Sequence, residues 1–199
     1  MQARDSRARA LAAALLGYVL AAGGIGITAI KHMTGDIGLI QDADLEYDPN
    51  DYPALVAPIL EGKADAVFGS RFASASQRKI LLYWHGVANH FLTWMTNILN
   101  DINLTDMETC YKAVRADILK QTPLYSNRFG IEPELTTKLA QWNIRLYEVP
   151  ISYHGRSVAE GKNIGWKDAF SAVWTLLKYR FLDDRFTTHD GYYVLQSMR

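Results

Sequence analysis

The clearest alternation of apolar and polar positions lies around Gly35–Glu46. A short apolar run, Ile37 to Ile40, stops at three acids on alternate positions: Asp42, Asp44 and Glu46. A run of that length reads as a buried strand, with the acids at its carboxyl end. Residues two apart in extended chain point the same way, so the three carboxylates are expected to converge on one spot. Asp48-Pro49-Asn50-Asp51 then reads as a turn. Tyr52, Leu55, Val56, Ile59 and Leu60 recur at helical steps and predict a helix over residues 51–61, stopped by Gly62. Ala64–Gly69 predicts a second strand, from whose end Ser70 and Arg71 emerge. Strand, helix and strand in that order imply a parallel pair whose loops share the edge that carries the acids.

Further along, residues 77–99 show a long helical stripe of Trp84, Val87, Ala88, Phe91, Met95, Ile98 and Leu99. Such a stripe is expected to face the core; the alternative is a surface that grips a lipid tail. The polar stretch Leu104–Lys112 leads into a short helix over residues 115–121. Another helix is expected at 132–142, followed by a strand at 145–151 in which Pro150 marks an edge or an end. The loop Tyr153–Lys162 bears glycines and the basic groups Arg156 and Lys162. A final helix over 165–181 lines up Trp166, Phe170, Val173, Trp174, Leu177 and Phe181, with Lys167, Lys178 and Arg180 alongside. It packs on the domain or lies on an anionic membrane surface. The tail beyond Asp183 carries no usable pattern.

The N-terminus has a different character. Arg4, Arg7 and Arg9 precede an uncharged stretch from Ala10 to Ile30, about 21 residues and long enough to span a bilayer. Basic residues ahead of an apolar run also fit a signal peptide ending near Val19-Leu20-Ala21. Its alanines, and the interruptions at Gly23, Gly24 and Gly26, equally fit a helix over residues 6–22 packed on a core. The expected division is therefore an apolar helix over 1–20, a domain over 21–182 and a tail over 183–199.

Composition narrows the function classes. The chain has 199 residues, enough for one sizeable domain, and 49% hydrophobic with 21% charged residues is ordinary for a globular fold. Twenty-one basic and 21 acidic residues cancel, so no global field draws the chain to nucleic acid. Cys110 is alone, which rules out an internal disulfide and fits a reducing compartment. His85 and His154 read as ordinary polar residues. Three close carboxylates repel unless a cation joins them, and oxygen ligands suit Mg2+ or Mn2+ completed by substrate phosphates. An Asp-rich turn is the plain alternative.

Five stretches occur in an order and spacing that resemble family 2 glycosyltransferases, particularly the dolichyl- and undecaprenyl-phosphate mannose or glucose synthases. They are Gly35–Pro49, Gly69-Ser70-Arg71, Thr105–Lys112, Phe129–Leu139 and Glu148–Trp166, within residues 21–181. The resemblance implies an α/β fold with a partial GT-A (Rossmann-like) sheet and flanking helices. It also implies a nucleotide-sugar donor of the GDP-mannose or UDP-glucose type, a polyprenyl phosphate acceptor, a divalent metal, inversion at the anomeric carbon, and a place at the cytoplasmic face of the membrane. By resemblance, Asp42 lies near the donor sugar and ribose and, with Asp44 and Glu46, at the metal. Arg71 would hold the acceptor phosphate, with Asp106 beside the acceptor and Glu108 as its substitute. Arg156 and Lys162 match a basic loop over the diphosphate. The family's first strands, which bind base and ribose, have no counterpart in Met1–Leu20, and Ala22 and Ile27 stand where relatives carry Lys and Arg. A non-catalytic transferase-like subunit is therefore the alternative expectation.

Overall fold

The computed structural model describes residues 29–42, 46–73, 83–126, 130–155 and 166–183. The N-terminal apolar stretch, Asp44, Arg156, Lys162 and the tail lie outside the described residues. Along the chain come β1 (Ile37–Ile40), a 3-10 turn (Pro49–Asp51), α1 (Tyr52–Leu60), β2 (Ala66–Ser70) and α2 (Tyr83–Asn100). Next are β3 (Lys112–Arg115), α3 (Ala116–Gln121), α4 (Ile131–Gln141), β4 (Leu146–Pro150), α5 (Trp166–Leu177) and a π-helical turn (Lys178–Leu182). The sheet has four strands in the order β1-β3-β2-β4.

The strand-helix-strand expectation needs one correction. β1 and β2 do run in the same direction, but they are not neighbours. β3 lies between them, antiparallel to both, with Leu39 opposite Ala113 and Val67 opposite Ala113. β3 is legible only in part, because Lys112 and Arg115 bound its two apolar residues and four residues carry little periodicity. β4 pairs parallel with β2, and it is the edge strand that ends at Pro150, as that proline implies. The carboxyl ends of β1, β2 and β4 and the start of β3 thus meet at one edge, the usual ligand edge of an α/β sheet.

Both faces of the sheet are covered. Val67, Leu39, Ala113 and Ile37 pack under Leu55 and Val56 of α1. Ala66, Phe68 and Val114 point the other way, onto Ile118 and Leu119 of α3 and Leu135 and Leu139 of α4. β2 is buried at every position, as a strand covered on both faces must be. A methyl group on Gly69 would come within 2.8 Å of Ile151 and 3.0 Å of the Tyr111 Cβ, so only glycine lets β2 carry Ser70 and Arg71 into place.

The core-facing expectation fails for most of the stripe on α2, whereas α5 packs on the domain, as expected, but mainly through a face other than its aromatic one. On α2 the stripe of Trp84, Val87, Phe91 and Ile98 points into water, with Trp84 74% and Ile98 62% exposed. Its buried face is Leu92, Thr93 and Thr96. On α5 Phe170 is 70% and Trp174 55% exposed, while Ala172, Thr175 and Leu176 face inward. Apolar period locates a stripe, not its direction, and here small and polar residues make the tighter inner contact. Both helices rest on α4 and touch each other, with Leu92, Met107, Ala172 and Leu176 between them.

Candidate active site

The sheet edge gathers two groups of polar side chains. The first is acidic. Asp42, two residues past β1, accepts a hydrogen bond from the Cys110 thiol at 2.6 Å from Oδ2. Glu132, in the first turn of α4, lies 3.9 Å from the same sulfur. Burial, then Glu132 and Asp42, push the Cys110 thiol well up, so it stays protonated and is no nucleophile. Burial also raises Glu132. Glu108 is pushed up to about 8, by burial first and by Glu132 next, with Lys112 and Arg71 opposing. Its Oε1 is buried without a hydrogen-bond partner, as is Thr109 Oγ1. The buried Lys112 ammonium serves the carbonyls of Met107 and Thr109.

The second group is built on Arg71, where β2 ends. Its Nε donates to Asp106 Oδ2 at 2.6 Å, one Nη to Asp106 Oδ1 at 2.7 Å, and its backbone N–H to Oδ2 at 3.0 Å. Asn89 of α2 accepts from the same Nη at 3.0 Å and donates to Asp106 Oδ1 at 3.3 Å. Asp106 is wholly buried and takes four donors. Burial works against the Arg71 charge, but Asp106 with Tyr47 and Tyr153 together more than offset it and hold the guanidinium protonated. Glu148 of β4 fixes the turn beneath by accepting from the N–H groups of Thr105 and Asp106 and from the Thr105 hydroxyl.

Tyrosines join the two groups. The Tyr47 hydroxyl accepts from the Cys110 N–H at 3.2 Å, and its ring packs in tilted contact with those of Tyr111 and Tyr153. The Arg71 guanidinium lies 5.1 Å from the centre of the Tyr153 ring. Glu46 is buried and accepts from the Tyr153 hydroxyl at 2.5 Å. An isolated bridge between Tyr47 and Tyr153 holds the chain past β4 against the chain past β1.

Of the residues singled out in the sequence, the structure brings Arg71 and Asp106 into one ion pair and sets Asp42 on the neighbouring acidic group. Glu46 faces Tyr153, and Asp44, Arg156 and Lys162 lie outside the described residues. Among the described residues no set of three or more His, Cys, Asp or Glu side chains is arranged to hold a metal ion. Asp42 supplies a hard oxygen donor bonded to a neutral thiol, which suits a divalent cation. Glu46 joins such a set only by exchanging its Tyr153 bond for the metal.

Sequence reasoning passed over Glu132, Cys110, Asn89 and Glu148. The Glu132-Pro133-Glu134 doublet was the available signal for Glu132. Its neighbour Glu134 does structural work, accepting from the Tyr125 and Ser126 N–H groups and pairing with Lys138 at 2.6 Å.

Residues 27–122 match the family model described as glycosyl transferase family 2. Over 137 residues the chain is 29% identical to an undecaprenyl-phosphate mannosyltransferase of Micrococcus luteus, covering 65% of this chain and 54% of that protein. It is 28% identical over 149 residues to a UDP-N-acetylglucosamine–dolichyl-phosphate N-acetylglucosaminyltransferase of Methanococcus voltae, covering 71% of this chain and 59% of that protein. The chain thus spans between half and two thirds of the length of these two relatives. Among solved structures, glucosyl-3-phosphoglycerate synthase of Mycobacterium tuberculosis superposes with a TM-score of 0.57 at 16% identity, over 80% of this chain and 55% of that one. The same enzyme bound to Mn2+, UDP-glucose and phosphoglyceric acid superposes with a TM-score of 0.56. The sheet with its flanking helices is accordingly GT-A-like and covers part of that domain. Over residues 27–122, the chain is thus similar to glycosyl transferase family 2.

Proposed function

We propose that this chain serves a transferase that moves a hexose from a nucleotide sugar to a polyprenyl phosphate, with inversion and with a divalent metal, at a membrane surface. What carries this reading is that an acidic group, an arginine fork and a water-exposed apolar face lie together beside one sheet edge. The named relatives, which act on undecaprenyl and dolichyl phosphates, support the acceptor class.

Asp42 and Asp44, with Glu46 in exchange for its tyrosine bond, would hold Mg2+ or Mn2+. A cation there stabilises the charge that grows on the departing nucleoside diphosphate. Arg156 and Lys162 would close over that diphosphate. Arg71 orients the acceptor phosphate, whose oxygens suit a guanidinium. An acceptor oxygen then attacks the anomeric carbon from the face opposite the leaving group, the C–O bond to the diphosphate breaks, and the configuration inverts. The acceptor phosphate is already ionised at neutral pH, so no base is needed. Asp106, saturated by four donors, accordingly holds Arg71 in place rather than taking a proton.

The apolar face supports a bilayer as the surface on which the acceptor is met. α2 has no Asp, Glu, Lys or Arg in its 18 residues, and it exposes Tyr83, Trp84 and Trp94, the side chains that favour the lipid–water interface. Exposed Phe170, Trp174 and Phe181 extend the face on α5 and the π-helical turn, where Arg180 adds an exposed positive charge. No helix among the described residues is long and apolar enough to cross a membrane, so contact by these faces is lateral.

Titration calorimetry of the full chain with UDP-glucose or GDP-mannose in Mn2+ tests the donor half. Binding is expected, and Asp44→Ala is expected to abolish it. An intact chain that binds neither donor at millimolar concentration overturns the reading.

A further inference from the structure

α2 has two working faces. Opposite its exposed aromatic stripe runs a polar ladder of Asn89, Thr93 and Asn97, spaced by four residues and therefore stacked along one side of the helix. Every rung holds the segment that carries Asp106. Asn97 accepts from the Leu104 N–H at 2.9 Å and donates to the Leu104 carbonyl at 2.8 Å. The Thr93 hydroxyl accepts from the Met107 N–H at 3.1 Å. Asn89 reaches the ion pair itself, accepting from Arg71 and donating to Asp106. Beside it, the His90 ring lies 4.8 Å from the ring of Phe72, the residue after Arg71.

The two-point pairing with Asp106 already fixes the plane of the Arg71 fork, and a third partner bonded to both members fixes where that plane stands relative to α2. That partner comes from the helix whose other face is apolar and open to water. The height and plane of Arg71 are thereby tied to the surface on which a lipid-linked phosphate arrives.

We propose that Asn89 is a positioning residue for the acceptor phosphate, acting through Arg71 and Asp106 and referencing them to the apolar face of α2. The inference rests on the acceptor half of the reading above and is independent of its donor half.

The test uses the full chain and farnesyl phosphate as a short acceptor probe, with UDP-glucose and Mn2+ titrated separately. Asn89→Leu keeps volume and helix but removes both hydrogen bonds; it is expected to weaken farnesyl phosphate about tenfold, the order of one charge-assisted hydrogen bond. Donor affinity should stay at the wild-type value, while Tm falls modestly because two buried groups each lose a hydrogen-bond partner. Asn89→Gln, which retains an amide, is expected to recover part of the lost affinity. A Leu variant that binds farnesyl phosphate like the wild type, while Arg71→Ala loses it, overturns the inference and leaves the transferase reading intact. Equal loss of donor and acceptor affinity reduces Asn89 to a packing residue and overturns it too. So does a wild-type chain that binds donor but no farnesyl phosphate. Asn89-dependent farnesyl phosphate binding without donor binding keeps the inference and removes the donor half.

Discussion

Glu108 and Asp65 show how burial and pairing move carboxyl groups in opposite directions within one small domain. Glu108, in the acidic group, keeps its proton to about pH 8, whereas an ordinary glutamate loses it near 4.5. Between those values the unfolded chain binds fewer protons than the folded one, so stability falls as pH rises. Asp65, held by the Arg145 fork at 2.8 and 2.9 Å, is lowered from 3.8 to about 2. Its contribution is present above pH 3.8 and is lost as pH falls toward 2. In the metal-free chain the two effects together place maximal stability on the acid side of neutrality. Urea midpoints should therefore be higher at pH 5 than at pH 8. Glu108→Gln should flatten much of that difference, because an amide has no proton to lose. An unchanged slope in the Gln variant would assign the effect elsewhere, with Glu132 the next candidate.

At the scale of elements, α2 and α5 separate amphipathic period from burial. Leu92 is 5% exposed and packs on Met107 and Leu176, whereas its neighbour Phe91 is 51% exposed. Truncating the smaller residue should accordingly cost more than truncating the larger one. Leu92→Ala is expected to lower stability by about 2–4 kcal/mol, and Phe91→Ala by about 0.5 kcal/mol or less, in urea denaturation. The reverse order would mean that α2 is seated the other way round. β3 makes a related point about sheets. Ala113 and Val114 are wholly buried between β1 and β2, yet their flanking Lys112 and Arg115 hide the strand from any pattern of four residues. Lys112 is itself buried, with its ammonium satisfied by two carbonyls, a pairing that no local rule announces.

Considered whole, the molecule has one side where polar chemistry converges and an adjoining side that is apolar and wet. If that side is a bilayer contact, binding to vesicles should depend on its aromatics and not on the fold. The triple variant Trp84→Ser, Trp94→Ser, Trp174→Ser is expected to weaken binding to anionic vesicles about a hundredfold or more, read by co-sedimentation, since each exposed indole contributes on the order of 1–2 kcal/mol at the interface. Its circular dichroism and Tm should remain those of the wild type. Undiminished sedimentation would move the contact to another surface.

Read alone, the sequence determined the local elements: the strand before the acids, the helix closed by Gly62, the second strand that delivers Arg71, and the edge strand ending at Pro150. It also determined the family resemblance, because the stretches that carry it are contiguous. Those are near-neighbour properties of the chain, set by period, turn chemistry and backbone restriction. Only tertiary structure decided that β3 separates β1 from β2, and that the aromatic stripes of α2 and α5 face water. It alone decided that Asp106 closes on Arg71 with Asn89, and that Cys110 sits between Asp42 and Glu132. Partners 17 to 68 positions apart meet only after the sheet is ordered, and no local period encodes which of two faces wins the core.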